Sequence, residues 1–329
     1  MMKILVTGAT GFLGFRIVER LAEEGLSIVA AGRKITDNHY VDRKNVTYNL
    51  GNLEDREYVS RLFEEAPEIV INCASFSSPW GKYQTFYQSN VLSQQHLIAE
   101  SEKAGVSRFI YISSPTVYYE HRDITGVKES DPLPAKPVNH YTGTKLEAEA
   151  LLHASNLDYI ILRPRALIGR GDTVIMPRLI RAYTEGKLKV IGDGENMADL
   201  TCVGNVVEAV RCAMQAGKEA LRQTYSISNG SPVKLWPTIN DMLEALGYER
   251  IRKRIPVGVA MAAAWLMEKK SVLTDYAEPA LTRYSVGVLA YSMTLDISKA
   301  RELLGYEPTQ TTAEGMQEFI DWYETQKHD

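Results

Sequence analysis

The chain is poor in cysteine. Cys73, Cys202 and Cys212 are the only three in 329 residues, and none shares a CxxC or Cys/His spacing. A disulfide scaffold and a thiolate zinc site are therefore not expected, whereas a reduced, cytoplasmic setting is. Six histidines form no ligand spacing with one another or with carboxylates, so no metal is expected. Neither sign of charge dominates: 37 Lys and Arg stand against 41 Asp and Glu, a net charge of −4. That balance does not draw the chain to nucleic acid or to an anionic membrane. Long apolar runs are missing too. After Met1-Met2-Lys3 the apolar stretch is only strand length and ends in glycines, unlike a signal peptide. The other apolar run, residues 255–267, is too short to cross a bilayer and holds a proline and a glycine. It reads as a buried helix lining an apolar pocket, with no stable membrane insertion.

What is present is ordinary globular material, 45% hydrophobic and 24% charged, long enough for one large domain or two fused units. The most informative stretch is Ile4-Leu-Val-Thr-Gly-Ala-Thr-Gly-Phe-Leu-Gly14. A short apolar strand runs into Gly8, Gly11 and Gly14, and a helical apolar pattern (Leu13, Ile17, Val18, Leu21) starts at once. Such a turn lets backbone N–H groups approach a pyrophosphate at a helix N-terminus. The spacing is GxxGxxG rather than GxGxxG, and a glycine triplet alone marks only a flexible turn. Strand before and helix after make the nucleotide-cofactor reading.

Apolar segments at 27–31, 46–48, 68–74, 108–114 and 159–163 alternate with helical ones, the longest at 86–103 and 141–155. The alternation predicts an α/β fold, a doubly wound parallel sheet of the NAD(P)-binding Rossmann kind, with ligands at the strands' carboxyl ends. After Pro164, glycine- and proline-rich segments break up shorter helices. The expected division is a cofactor domain over 1–165, rejoined by about 200–230 through a strand near 225–228. Residues 166–329 would then form mainly a smaller, interleaved substrate lobe.

Tyr141-Thr-Gly-Thr-Lys145 places a phenol and an ammonium on one helix face. A nearby ammonium favours the phenolate and lowers a tyrosine pKa from about 10, making a usable general acid or base. The spacing alone selects nothing, because Tyr40/Lys44, Tyr183/Lys187 and Tyr323/Lys327 share it. Position selects Tyr141: its helix follows the strand that ends in Ser113-Ser-Pro-Thr-Val-Tyr118. Hydroxyls there would lie where a substrate oxygen meets the cofactor, although Ser113, Ser114 and Thr116 also suit plain loop capping.

Four motifs now share an order and a spacing: TGATGFLG, ISSPTVY, YTGTK, and a tail from Leu295-Asp296 to Leu304-Gly-Tyr-Glu-Pro308. Over essentially the whole chain they resemble the extended short-chain dehydrogenases/reductases of the NAD-dependent epimerase/dehydratase superfamily. Pro79-Trp-Gly-Lys-Tyr83, Leu162-Arg-Pro-Arg-Ala166, Ile191-Gly-Asp-Gly194 and Leu281-Thr-Arg283 look most similar to the 3β-hydroxysteroid dehydrogenase-like branch, which includes 2-alkyl-3-oxoalkanoate reductases. The resemblance implies Tyr141 as proton donor or acceptor, Lys145 as holder of the nicotinamide ribose, and Ser114 as the group orienting the reacting oxygen. Ser113 and Thr116 are further candidates. Cofactor contacts implied in the same way are Gly8, Thr10, Gly11, Phe12, Leu13, Arg33, Asn52, Leu53, Ala74, Asn90, Tyr141, Lys145 and Pro164. Asn52 stands where the family usually has an aspartate for the adenine, and Asn90 suits a structural role equally well. A homodimer through the 86–103 and 141–155 helices is implied by resemblance only.

The cofactor's phosphate is read from the residues. NAD-specific sites place an acid at the end of the second strand; this chain has Gly32-Arg33-Lys34, and a guanidinium suits a 2′-phosphate. NADP(H) is expected over NAD(H), which remains an alternative. The expected reaction interconverts a ketone and a secondary alcohol on a hydrophobic, steroid-like or β-keto acyl substrate. Trp80, Met197, Met267 and Tyr284 are candidate pocket residues. One alternative is a nucleotide-sugar epimerase or dehydratase, disfavoured because Ala198 replaces the arginine such enzymes usually carry before Asp199. A second is a non-catalytic NADP sensor, which would have no need of a tuned phenol.

Overall fold

The computed structural model describes residues 2–326; Lys327, one of the spacing matches, lies outside them. Seven parallel strands form the central sheet: β1 (Lys3–Thr7), β2 (Ser27–Gly32), β3 (Val46–Leu50), β4 (Ile69–Asn72), β5 (Arg108–Ile112), β6 (Tyr159–Pro164) and β7 (Gln223–Ile227). Their spatial order is 7-6-5-4-1-2-3. The register pairs Val6 with Ala30 and Thr7 with Asn72, so the strands end together.

Burial follows the period-2 geometry of a strand. Ile4 and Val6 join one apolar cluster with Ile28, Ile71 and Ile110; Leu5 joins another with Val29, Val70 and Phe109. Both faces need cover, and helices supply it. α1 (Phe12–Glu23) lies on the first face, and α2 (Arg56–Phe63), α3 (Ser93–Ala104) and α4 (His140–Ala154) cover the second. α5 (Val203–Gln215) packs beside α1. Chain order reverses between β1 and β4, and that gap is where an open α/β sheet takes a ligand.

The long helix read over 86–103 is three pieces: an α-turn at Tyr83–Phe86, a π-turn at Tyr87–Leu92, then α3. Asn90 sits in the π-turn, a distortion common at functional sites.

Two readings need correction. The 1–165 boundary is crossed: Ile124–Val127, from the loop after β5, joins Met293–Leu295, Met197–Ala198 and Val233–Lys234 in a second sheet. Ile124-Thr-Gly-Val127 carries no alternating apolar pattern, so only the pairing with Met293 reveals it. The apolar run at 255–267 is not a buried helix. It belongs to α6 (Val257–Leu273), where only Ala260, Ala264, Glu268 and Ser271 are buried. Leu266 is 62% exposed and Leu273 86%. Apolar residues surround the helix on every side, so no periodicity marked the inner face; the small alanines take it. Among the described residues no helix is long and apolar enough to cross a membrane.

Candidate active site

The glycine turn is built by close approach. Gly8 has φ +68°, and a Cβ there would meet the Ala74 backbone nitrogen at 2.7 Å. A Cβ on Gly14 would meet the Gly8 carbonyl oxygen at 2.1 Å. Both obstacles are backbone and cannot swing aside. Gly14→Ala should therefore displace the loop and weaken cofactor binding at least tenfold by fluorescence titration; unchanged affinity would show that the loop does not hold the phosphates.

Gly11 caps α1 with no side-chain partner, and the first turn holds no acid, so the helix N-terminus faces the cleft free of protein anions. The cleft has a volume of about 210 Å³, and Gly8, Thr10, Gly11, Arg33, Asn52, Leu53 and Ala74 line it. A dinucleotide fits these residues: bare backbone for the pyrophosphate and, at the rim, an exposed guanidinium from the end of β2. Asn52 accepts from the Glu54 N–H at 3.2 Å, shaping its loop. Phe12 and Leu13 open α1, and Pro164 is a buried residue ending β6; none of the three lines the cleft.

A buried polar chain at the strand ends was not anticipated. Thr7 donates to Asn72 at 2.6 Å and Asn72 donates to Gln94 at 2.5 Å, while Asn72 Oδ1 accepts from the Ala74 N–H at 3.0 Å. Asn72 thus sets the loop that touches Gly8. Its signal in the sequence is a polar residue closing an all-apolar strand, Ile69–Asn72.

Asn90 is also fully used within the protein. Its Oδ1 accepts from Ser75 Oγ (3.1 Å) and the Phe76 N–H (2.8 Å), and its Nδ2 donates to Thr144 Oγ1 (3.0 Å). It braces the loop after β4 against α4 rather than reaching the cleft.

The second cluster stands at the ends of β5 and β6. Ser114 caps the short turn Pro115–Tyr118 and accepts from Thr116 Oγ1 at 3.1 Å. Tyr141, in the first turn of α4, is near enough to Ser114 for that hydroxyl to favour its phenolate. Ser113 Oγ is buried with no partner. Lys145, one turn on, is 2% exposed, and its Nζ donates to the Ile112 carbonyl at 2.8 Å and Tyr111 Oη at 3.2 Å. Tyr111 was legible only as a core strand residue.

The electrostatics differ from the expected pairing. Burial lowers the Lys145 pKa to about 8, against the opposing pull of Glu149 and Cys73. Burial, helped by Tyr284, pushes Tyr141 well above an ordinary phenol, and the nearby Ser114 hydroxyl only partly offsets it. Lys145 lies 5.9 Å from the Tyr141 ring centre and spends its hydrogen bonds on β5, so it does not acidify the phenol in this state. The Cys73 thiol in the same cleft is pushed up to about 12 by burial, which rules it out as a ready nucleophile.

Of the pocket candidates, Tyr284 lines an outer cleft of about 510 Å³ with Tyr119, His121 and Arg283, and its ring packs edge-on against Tyr119. Trp80 instead ties its loop to α6 through Ser271 (2.7 Å), and Met267 is exposed on α6. Met197 sits in the second sheet. Among the described residues no group of three or more His, Cys, Asp or Glu could hold a metal ion.

A dinucleotide cleft at the β1/β4 gap with a Ser-Tyr-Lys cluster at the neighbouring strand ends is the arrangement of a nicotinamide-dependent oxidoreductase. Residues 4–228 match the model of the NAD dependent epimerase/dehydratase family, and the chain belongs to that family. The 3beta-hydroxysteroid-dehydrogenase/decarboxylase isoform 1 of Arabidopsis thaliana is 35% identical over 96% of this chain and 78% of that protein. The 2-alkyl-3-oxoalkanoate reductase of Stenotrophomonas maltophilia (strain K279a) is 31% identical over 96% of this chain and 97% of its own. In fold, the chain is similar to the solved UDP-glucuronic acid 4-epimerase from Bacillus cereus in complex with NAD. That match has a TM-score of 0.75 and 22% identity, and it covers 99% of both chains. The protein is an NAD-dependent enzyme of the short-chain dehydrogenase/reductase type.

Proposed function

We propose that the enzyme interconverts a ketone and a secondary alcohol on a hydrophobic β-keto acyl or steroid-like substrate, with NADP(H) preferred to NAD(H). The observation that carries this reading is the placing of Ser114, at the end of β5, and Tyr141, in the first turn of α4, with Lys145 one helical turn behind it. The nicotinamide supplies or accepts the hydride. Ser114 and Tyr141 hold the substrate oxygen between two hydroxyls, and Tyr141 gives that oxygen its proton in reduction or takes it in oxidation. Lys145, released from the Ile112 carbonyl, has the length and charge to hold the nicotinamide ribose and acidify Tyr141. Ala198 leaves a sugar diphosphate without the guanidinium expected before Asp199, which favours a lipid-like substrate over a nucleotide sugar. A homodimer through the 83–104 and 140–154 helices belongs to the same proposal, testable by sedimentation.

An NADPH-consumption screen across β-keto acyl compounds, ketosteroids and nucleotide sugars tests the assignment. Turnover confined to nucleotide sugars would overturn it. A pH profile adds a second check. With its pKa at about 8, Lys145 carries its ammonium below pH 8 and loses it above. kcat/KM for reduction, which reports the free enzyme, should fall as pH rises through about 8. Lys145→Met should erase that limb and lower activity roughly 100-fold or more; an unchanged profile would take Lys145 out of the reaction.

A further inference from the structure

The outer face of α6 has no partner within the described residues. Six large apolar side chains are exposed on this helix: Val259, Trp265, Leu266, Met267, Val272 and Leu273. Its buried residues, Ala260, Ala264, Glu268 and Ser271, fall on one side at helical spacing. Val259, Leu266 and Leu273, seven residues apart, run along the opposite side as a stripe, with Lys269 and Lys270 flanking it. The inner side is fastened to the rim of the outer cleft. Glu268 accepts from the Arg283 backbone N–H and from its Nε, both at 2.7 Å, and Arg283 lines that cleft. Ser271 accepts from the Trp80 indole. The helix is held firmly while its outer face stays bare, which marks a contact surface.

Charge identifies what covers it. The net charge of −4 hides a local excess: residues 251–273 hold Arg252, Lys253, Arg254, Lys269 and Lys270 against one acid, Glu268, which Arg283 already neutralises. These cations are exposed, and among the described residues none of them forms an ion pair. The next acids along the chain, Asp275 and Glu278, pair with Lys82 and Arg178. A second copy of the chain is a poor match. Both ends of α6 are basic, so two copies packed along their stripes would meet cation to cation in either direction. Anionic headgroups over acyl chains complement both the cations and the stripe. α6 is not long and apolar enough to cross a bilayer, but its 17 residues, about 26 Å, can lie along one.

We propose that α6 is a membrane-docking helix that lies in the surface of an anionic bilayer. Val259, Leu266 and Leu273 enter the acyl layer, while Arg252, Lys253, Arg254, Lys269 and Lys270 meet headgroup phosphates. Trp265, at the edge of the stripe with the Lys269 ammonium 5.7 Å from its ring centre, occupies the level between them. Docking is peripheral and reversible, set by the local apolar and basic residues rather than by net charge. It holds Arg283 and the outer cleft beside the lipid, where a hydrophobic substrate is concentrated. The docking does not depend on the ketone–alcohol reading, and its test uses no turnover.

The test is flotation of the full chain with vesicles of phosphatidylcholine alone, or of phosphatidylcholine with about a third phosphatidylglycerol. The wild type should bind the anionic vesicles at least about tenfold more tightly than the neutral ones, and should leave them at high salt. Lys269→Glu with Lys270→Glu should weaken that binding about 20-fold or more. Leu266→Ser with Leu273→Ser should weaken it roughly tenfold or more. All four side chains are exposed, so both variants should keep the fold. Brominated acyl chains should quench Trp265, and Trp265→Phe should remove the quenching while the protein still floats, which places α6 itself at the lipid. Leu133→Ser, at an exposed leucine elsewhere, should change nothing. Wild-type protein that floats with neither vesicle, or equally with both, would overturn the proposal, a result that stands whether or not the variants fold. So would quenching that persists in Trp265→Phe. A lipid-free dimer that the two leucine substitutions convert to monomer in sedimentation would also overturn it, because the stripe would then belong to a second copy.

Discussion

Tyr141→Phe should lower kcat for NADPH-linked ketone reduction by about 100- to 10,000-fold, the span of a lost general acid. The substitution removes one oxygen and keeps the ring at the start of α4. No polar group inherits the role readily. Ser114 offers only an alkyl hydroxyl, far less acidic than a phenol, and Lys145 is tied to Ile112 and Tyr111. Burial holds the Tyr141 phenol protonated through the neutral range, which suits a proton donor awaiting a ketone. Oxidation then needs the Lys145 ammonium once the cofactor is bound, so the oxidative rate should lose that help as pH rises through about 8. Single-turnover NADPH oxidation is the measurement, with NADPH affinity as a control. A loss under about tenfold would transfer the proton to another group.

Arg33→Asp should reverse the cofactor preference. Arg33 is exposed at the rim of the dinucleotide cleft, just past the β2 carboxyl end, and shares the lining with Gly32 and Asn52. A charge-assisted bond to a 2′-phosphate is worth about 1.5–3 kcal/mol, or roughly 10- to 150-fold in kcat/KM. Aspartate removes that bond, repels the phosphate and offers an acceptor to a ribose 2′-hydroxyl. The NADPH-to-NADH ratio of kcat/KM should fall at least about 100-fold and cross unity. Because the site is exposed, the wild-type preference should weaken at high salt. A wild-type ratio near one would place Arg33 in solvent and leave the cofactor choice elsewhere.

The sheet was legible because its physics is local. Strands such as Ile4-Leu-Val6 are buried on both faces and read as apolar runs, and the glycine turn has a fixed spacing to its helix. Ser114, Tyr141 and Lys145 were brought together by motif order and family resemblance, and the structure sets them at neighbouring strand and helix ends. What escaped was non-local. Arg165 looks like any surface arginine until its burial and its unpartnered Nε are known. Tyr111 reads as core, and its hydroxyl matters only because α4 brings Lys145 to it. Asn90 was placed toward the cofactor, yet three-dimensional packing turns its amide into a brace between the β4 loop and α4. α6 misled because uniform apolarity hides which side is inside.

The measurement closest to the central claim is the fate of a label. NADPH carrying deuterium at nicotinamide C4, incubated with a long-chain 3-oxo acid, should yield released alcohol with one deuterium on the carbinol carbon. Tyr141→Phe should suppress that product. Deuterium absent from any released alcohol, together with redox-neutral turnover of a nucleotide sugar, would contradict the account and make the enzyme an epimerase.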